Sequence, residues 1–243
     1  MKDNFSTQAF LYSRFRPGYP QQLYDFLLQL LSEKKAAWDC GTGNGQVAEK
    51  LSQYFEKVYA TDISTNQLAN AVRKENIFYS LESAEQISFE NNQFDLITVA
   101  QAIHWFDFEK FYHEAKRTLK PNGLIAVFGY KRVINKEIDD IIDNFYKSVL
   151  GVYWDKERSY VDESYTTIPF PFKEIETTVF DNAYEWDIDQ IIGYLSTWSA
   201  VQHFIKENNR NPIAEIIEPL KRSWGNVEKR KVSFPIFMRV GKK

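Results

Sequence analysis

The sequence predicts an α/β protein built on a doubly wound, mostly parallel sheet. Strand-like and helix-like patterns alternate through the first 130 residues, as parallel sheets with right-handed crossovers require. A glycine-rich turn, Gly41-Thr42-Gly43-Asn44-Gly45, follows the first strand pattern. An acidic residue, Asp62, closes the second.

From Gln21, the residues Leu23, Phe26, Leu27, Leu30 and Leu31 recur at helical spacing. Residues 36–40 then form a short buried strand. Residues 46–55 place Val47, Ala48, Leu51 and Phe55 on one helical face. A second strand covers 57–61 and ends at Asp62. Ser64 and Gln67 fit a capping box for a helix carrying Leu68, Ala71 and Val72. Residues 77–81 and 95–100 read as the third and fourth strands. Asp107 caps a helix whose apolar face is Phe108, Phe111, Tyr112, Ala115 and Leu119. Lys120-Pro121-Asn122-Gly123 is a turn, because Pro presets φ and Asn-Gly tolerates positive φ. Residues 124–129 make the fifth strand.

Past Tyr130 the rhythm changes. Ile138, Ile141, Ile142, Phe145 and Val149 mark a helix. Residues 151–172 read as irregular. A strand is expected near 174–180, helices near 188–206 and 212–223, and a last strand near 232–240. The long helical excursion reads as a cap over the sheet.

Composition narrows the class. The chain has 243 residues, 44% hydrophobic and 26% charged, which excludes disordered, collagen-like and low-complexity proteins. A chain this long buries roughly 70% of its unfolded surface, so it needs neither disulfides nor a structural metal. A net charge of −3 argues against a whole-chain nucleic-acid binder. Cys40 is the only cysteine and is expected to be a small buried residue; no Cys/His spacing suggests zinc. The N-terminus shows no signal-peptide pattern, and no stretch approaches the ~20 apolar residues of a membrane span. A cytoplasmic protein without membrane contact is expected. Aromatic residues are abundant, at 16% of the chain.

The glycine-rich turn carries the chemistry. In open parallel sheets, ligands bind beyond the carboxyl ends of the strands. Glycines admit a ligand close to the backbone, and the next helix offers unsatisfied N–H groups. Asp62 stands where an acid can accept both hydroxyls of a ribose. A tight structural turn is the plain alternative, and Asp62 is what argues against it. Nicotinamide sites favour G-x-G-x-x-G with a pyrophosphate on the helix. Here the spacing is G-x-G-x-G, with Asp39 two residues before Gly41. Asp39 would repel a pyrophosphate and suits an ammonium group.

These residues resemble the class I S-adenosylmethionine-dependent methyltransferases of the methyltransferase-11 type. Asp39 to Gly45 is similar to that family's first motif. Asp62 is similar to its ribose-binding acid, and Ile63 to the apolar residue on the adenine. Ser83-Ala84-Glu85 is similar to the loop lining the adenine. Phe94-Asp95-Leu96-Ile97 with Gln101-Ala102 resembles the fourth-strand motif, and Leu119 to Gly123 the turn before the fifth strand. The resemblance implies a Rossmann-like, seven-stranded sheet with an antiparallel last strand and a helical cap. It implies S-adenosylmethionine as cofactor and S-adenosylhomocysteine as product. The cofactor residues it implies are Asp39, Gly41, Thr42, Gly43, Gly45, Asp62, Ile63, Ala84, Glu85, Gln101 and Ala102.

A narrower resemblance joins Tyr12 to Pro20, Ala102 to Phe106, Tyr153-Trp154, Pro169 to Phe172 and Ser196 to Ser199. These segments are similar to the trans-aconitate methyltransferase-like branch. A small acidic or polar acceptor follows, with O-methylation of a carboxylate as one form. His104 is a candidate to orient or deprotonate the acceptor, or a hydrogen-bonded structural residue. Arg16, and less so Arg14, could pair with a carboxylate. Tyr12, Tyr19, Trp105, Trp154 and Trp198 are candidate walls of the substrate pocket, with packing as their alternative role.

Residues 221–243 hold eight Lys or Arg against one acid, Glu228. A solvated helix end and tail is favoured there over a nucleic-acid patch. The organisation expected is one domain over 1–243. Residues 21–130 form the cofactor core, 1–20 and 131–224 the lid, and 225–243 the last strand and tail. An RNA or protein methyltransferase and a non-catalytic cofactor-binding protein stay as alternatives, with a nicotinamide dehydrogenase more distant.

Overall fold

A computed structural model describes residues 15–243. The elements run α1 (Gln21–Gln29), β1 (Ala36–Cys40), α2 (Gln46–Leu51), β2 (Lys57–Asp62), α3 (Thr65–Ala69), β3 (Ile77–Leu81), β4 (Phe94–Ala100), α4 (Phe108–Thr118) and β5 (Leu119–Tyr130). Then come α5 (Asp139–Asn144), α6 (Arg158–Asp162), β6 (Lys173–Ile175), β7 (Ala183–Trp186), α7 (Ile188–Ser196), α8 (Ser199–Asn208), α9 (Ala214–Trp224), β8 (Arg230–Ser233) and β9 (Ile236–Lys242).

Seven strands form one sheet in the order β3-β2-β1-β4-β5-β9-β6. The pairs among β1 to β5 are parallel, and β9 runs antiparallel to both neighbours. The fold is therefore the Rossmann-like, mostly parallel sheet with an antiparallel last strand. Central position explains the composition of β1, whose five residues are all buried. Helices cover both faces, so both sides of the pleat need apolar side chains. Trp38 faces the layer built on Phe111 and Tyr112 of α4, while Ala37 faces Leu23 and Leu27 of α1 and Val47 of α2. A third cluster joins Phe145, Trp186, Tyr194, Trp198 and Phe234 in the cap region.

Local signals place the helices. Ser64 Oγ accepts the Gln67 N–H, and Asp107 Oδ1 accepts that of Lys110. The turn after α4 lies inside the bounds of β5, which begins at Leu119 and not at 124. Leu119 pairs with Phe94 and Leu124 with Leu96, so the residues between bulge out of the ladder. Asn122 takes φ 65° there.

The second half departs from expectation in several places. The strand expected near 174–180 stops at Ile175, and Val179 is 93% exposed. The helix expected near 188–206 is two helices, because Thr197 folds back on the Tyr194 carbonyl and Trp198 is extended. The strand expected near 232–240 splits at Phe234-Pro235 into β8 and β9. Proline has no N–H for a ladder, so the two pieces join different sheets. β8 pairs with β7, a short strand that local pattern does not reveal. The stretch 151–172, read as irregular, contains α6, and the helix over 138–149 ends in a π-helical turn at Phe145–Val149.

Asp95 ties the start of β4 to its neighbours. One oxygen accepts the backbone N–H groups of Lys35 and Ala36, at 2.8 and 2.9 Å. The other accepts from Lys120 Nζ at 2.6 Å. Asp95→Ala leaves two N–H groups and a half-buried ammonium without this partner. Urea denaturation is expected to show a loss of about 2–4 kcal/mol, whereas a loss below about 0.5 kcal/mol would contradict this role.

Candidate functional site

The chain runs from β1 outward to β2 and β3, then crosses back to β4 on the other side of β1. The helix after β1 packs on one face and the helix after β4 on the other. Their divergence opens a crevice at the carboxyl ends of these strands. A cleft of about 850 Å³ occupies it.

Asp39 and Asp62 set the polarity of the cleft. Asp39 is buried; its oxygens accept from Thr42 Oγ1 at 2.5 Å and Thr98 Oγ1 at 2.8 Å. Burial pushes its carboxyl up to about 6, against the hydroxyl hydrogen bonds, with repulsion from Asp62 adding to the rise. An ammonium group beside it would favour the ionised form. Asp62 accepts the N–H of Gly43 at 2.8 Å and of Ser64 at 2.9 Å.

The glycines between them adopt conformations that side chains resist. Gly41, Gly43 and Gly45 have φ of 67°, 57° and 83°. A Cβ on Gly45 would stand 2.2 Å from the Tyr79 hydroxyl, which donates to the Val72 carbonyl. Gly45 is thus fixed by packing behind the loop, and Gly43 by its place on the cleft. Across the crevice, Gln101 takes φ 53°, a rare conformation for a side-chain-bearing residue. Its backbone N–H donates to the Phe128 carbonyl, and its Nε2 to the Tyr130 carbonyl at 2.8 Å.

A second cavity of about 490 Å³ adjoins the cleft and shares Arg16, Gln101 and Trp105 with it. His104, Trp154, Arg158 and Trp198 are among its other walls. The site therefore has one chamber beside the glycine loop and a second, with Trp105, Trp154 and Trp198 in its walls, under α6 and α8.

Residues 38–127 match the family described as methyltransferase domain. A protein of Dictyostelium discoideum named as a methyltransferase is 34% identical, over 99% of this chain and 95% of its own length. The chain belongs to the class I S-adenosylmethionine-dependent methyltransferases. A solved structure named as a type II methyltransferase from Anaeromyxobacter dehalogenans has a TM-score of 0.86 and 34% identity. It covers 94% of this chain and 98% of its own. The fold also matches a Haemonchus contortus phosphoethanolamine N-methyltransferase, solved with S-adenosylhomocysteine, at TM-score 0.50 and 17% identity. That match covers 98% of this chain and 58% of the other.

In this methyltransferase the cleft brings together Asp39, Gly41, Thr42, Gly43, Asp62, Ile63, Gln101 and Ala102. Arg16, Tyr19 and Trp105 line it too. Gly45, Ala84 and Glu85 do not. Gly45 precedes α2, Ala84 is buried in the core, and Glu85 accepts from Ser83 Oγ and the Asp107 N–H. Trp154, Trp198 and His104 line the second cavity. Tyr12 and Arg14 lie outside the described residues.

Sequence reasoning did not pick out Gln67, Tyr130 or Arg158. Gln67 served only as a capping residue, yet it lines the cleft, and its buried Oε1 has no hydrogen-bond partner among the described residues. An unsatisfied buried acceptor there fits a ligand that brings donors, as a nucleoside does. The acids, the apolar Ile63 and this acceptor together suit S-adenosylmethionine, with its ammonium, ribose and adenine. Arg158 gave no signal, because its segment shows no pattern.

His104 Nδ1 lies 2.8 Å from the Tyr165 hydroxyl. Burial, with the charge of Arg158, pushes the imidazole down to about 3. It is neutral at physiological pH and a weak base. An unfolded chain protonates this group below about 6.5 while the folded chain resists. Its contribution is therefore complete above that pH and is lost as pH falls toward 3. Asp39, raised from its ordinary value, acts in the opposite sense as pH falls from about 6. Between pH 7 and 5, His104→Gln is expected to lose less stability than the parent, by about 1–2 kcal/mol. Equal losses in denaturant titrations at the two pH values would contradict a neutral buried His104.

Proposed function

We propose that this methyltransferase moves the methyl group of S-adenosylmethionine onto a small molecule, with a carboxylate oxygen as the acceptor atom. The observation that carries the reading is the pair of adjoining chambers. The one beside the glycine loop has the groups a nucleoside-bearing amino acid needs, and the second meets it at Trp105, Gln101 and Arg16.

The cofactor supplies an electrophilic methyl on a sulfonium, whose C–S bond breaks as the acceptor bond forms, leaving neutral S-adenosylhomocysteine. Asp39 holds the ammonium, directly or through water. Asp62 takes the ribose hydroxyls, while Gln67 accepts a further donor. Ile63 supplies apolar surface for the adenine, and Gly41 and Gly43 allow close backbone approach. Alignment of two reactants is worth several kcal/mol, on the order of 7–11 in the best intramolecular cases. A carboxylate has no proton to lose, so a weak base at His104 is no obstacle. His104 then serves to position Tyr165 and the cavity wall. Residues 131–224 serve as the lid that excludes water from the second chamber.

Three of the eight cations of the basic C-terminal stretch are engaged within the fold, which favours this reading over an RNA substrate. Arg230 pairs with Glu137 and the Trp224 carbonyl. Arg239 pairs with Glu174, and Lys243 reaches Asn92 and the Leu119 carbonyl. Those charges hold the fold together. Among the described residues, no helix is long and apolar enough to cross a membrane.

S-adenosylhomocysteine is expected to raise the melting temperature; at a hundred times its Kd it adds about 2.7 kcal/mol. Asp62→Ala is expected to weaken its binding about ten-fold or more by calorimetry. No shift in a folded sample, or a shift with NADH instead, would overturn the cofactor reading. Turnover is read as S-adenosylhomocysteine release across a panel of carboxylic acids. Binding without turnover on any would favour a non-catalytic role.

A further inference from the structure

Arg158 is a cation of the second cavity whose two terminal nitrogens are unused among the described residues. Its Nε donates to the Tyr146 hydroxyl at 3.0 Å and lies 3.2 Å from Asp162 Oδ1. Its guanidinium carbon sits 5.1 Å from the Trp154 ring centre and 5.5 Å from that of Tyr146. The two terminal nitrogens make no hydrogen bond among the described residues. Two other arginines, Arg239 and Arg117, spend both terminal nitrogens on the fold. Arg239 commits Nη1 to the Tyr165 and Ile168 carbonyls and Nη2 to Glu174. Arg117 uses Nη1 and Nη2 likewise on Phe89, Ile87 and Glu114. Arg158 is held in place by one nitrogen and two rings, and its fork is left for another partner.

The surroundings define that partner. The side chain of Arg158 is only 21% exposed, so a charge pair made there is weakly screened. Trp154 is fixed by its Nε1 bond to the Tyr146 carbonyl, and Trp198 is buried beside it at 5.4 Å between ring centres. Two flat walls and a planar fork suit a planar carboxylate. The charges that face Arg158 are Arg16 at the junction, Asp155 in the cavity lining and Asp162 on Nε. Asp155 lies 3.9 Å from His203 Nδ1, and His104 is neutral. Counting Asp162, two arginines face two carboxylates, so the preference for an anion rests on the unused Nη fork.

We infer that the acceptor carries, besides the atom that is methylated, a carboxylate anchored by Arg158 at the wall of the second cavity away from the cleft. Arg158 lines only the second chamber, whereas Arg16, Gln101 and Trp105 line both. The reacting end of the acceptor is therefore presented at the junction and the anionic end at Arg158. Specificity follows from the fork: a neutral analogue would leave its two terminal nitrogens without an anionic acceptor. This inference rests on the two-chamber methyl-transfer reading above.

The test uses the full chain saturated with S-adenosylhomocysteine, titrated with 4-hydroxybenzoate and with its neutral isostere 4-hydroxybenzamide. Tryptophan fluorescence and calorimetry give the affinities. The acid is expected to bind about ten-fold or more tightly than the amide. Arg158→Gln is expected to abolish that preference by weakening the acid alone, and Arg158→Lys to restore part of it. Both variants are expected to bind S-adenosylhomocysteine as the parent does, which also reports that they fold. The inference is overturned if the acid binds no better than the amide, if neither binds, or if Arg158→Gln keeps the preference. Failure of the parent to bind S-adenosylhomocysteine would instead overturn the cofactor reading.

Discussion

Asp39 ends β1 with its carboxylate buried, and its two oxygens take the hydroxyl protons of Thr42 and Thr98. Thr42 belongs to the glycine loop and Thr98 to β4. One side chain thus joins the loop after the first strand to the strand on the far side of the switch point. The crevice exists because the chain reverses direction across the sheet there, and Asp39 holds its two banks at a fixed spacing. The arrangement is costly without a ligand, because burial raises the carboxyl to about 6. Strongly shifted groups of this kind cluster at functional sites.

Asp62 performs the matching task one strand away. Its carboxylate binds the Gly43 N–H and so fixes the loop from the side of β2. The loop is held between two acids, and its glycines are free to adopt positive φ because no Cβ stands in the way. Across the crevice, Gln101 accepts an unusual conformation that its hydrogen bonds to Phe128 and Tyr130 maintain. Backbone strain of this kind collects where a structure over-determines a functional site.

The cap answers a different need. The break between α7 and α8 turns Trp198 into a cluster with Phe145, Tyr146, Trp154 and Tyr194. A continuous helix would have carried that indole elsewhere. Rings pack edge to face in such clusters and leave flat faces toward the cavity. The abundance of aromatic residues thus divides between the sheet layers, where Trp38 packs on Phe89 and Phe94, and the walls of the second chamber.

Local chemistry made the first 130 residues legible. Buried strands, capping residues and the Asn-Gly turn each act over a few positions, so β1, β2, β4 and α4 lie where periodicity placed them. Asp39 and Asp62 were readable for the same reason, since strand ends and glycine spacing fix them from sequence. Tertiary structure decided the rest. The β7–β8 pairing joins residues some fifty apart in the chain, and Pro235 divides what looked like one strand. Gln67 became a cleft residue only when α3 packed beside the loop. Arg158 lies in a segment with no pattern, and its meaning comes from the rings and chamber that distant parts of the chain bring to it. Sequence by itself determined the nucleotide-binding half, because hydrogen bonding and burial there are local. The second chamber was decided by packing across long separations, which no local pattern records.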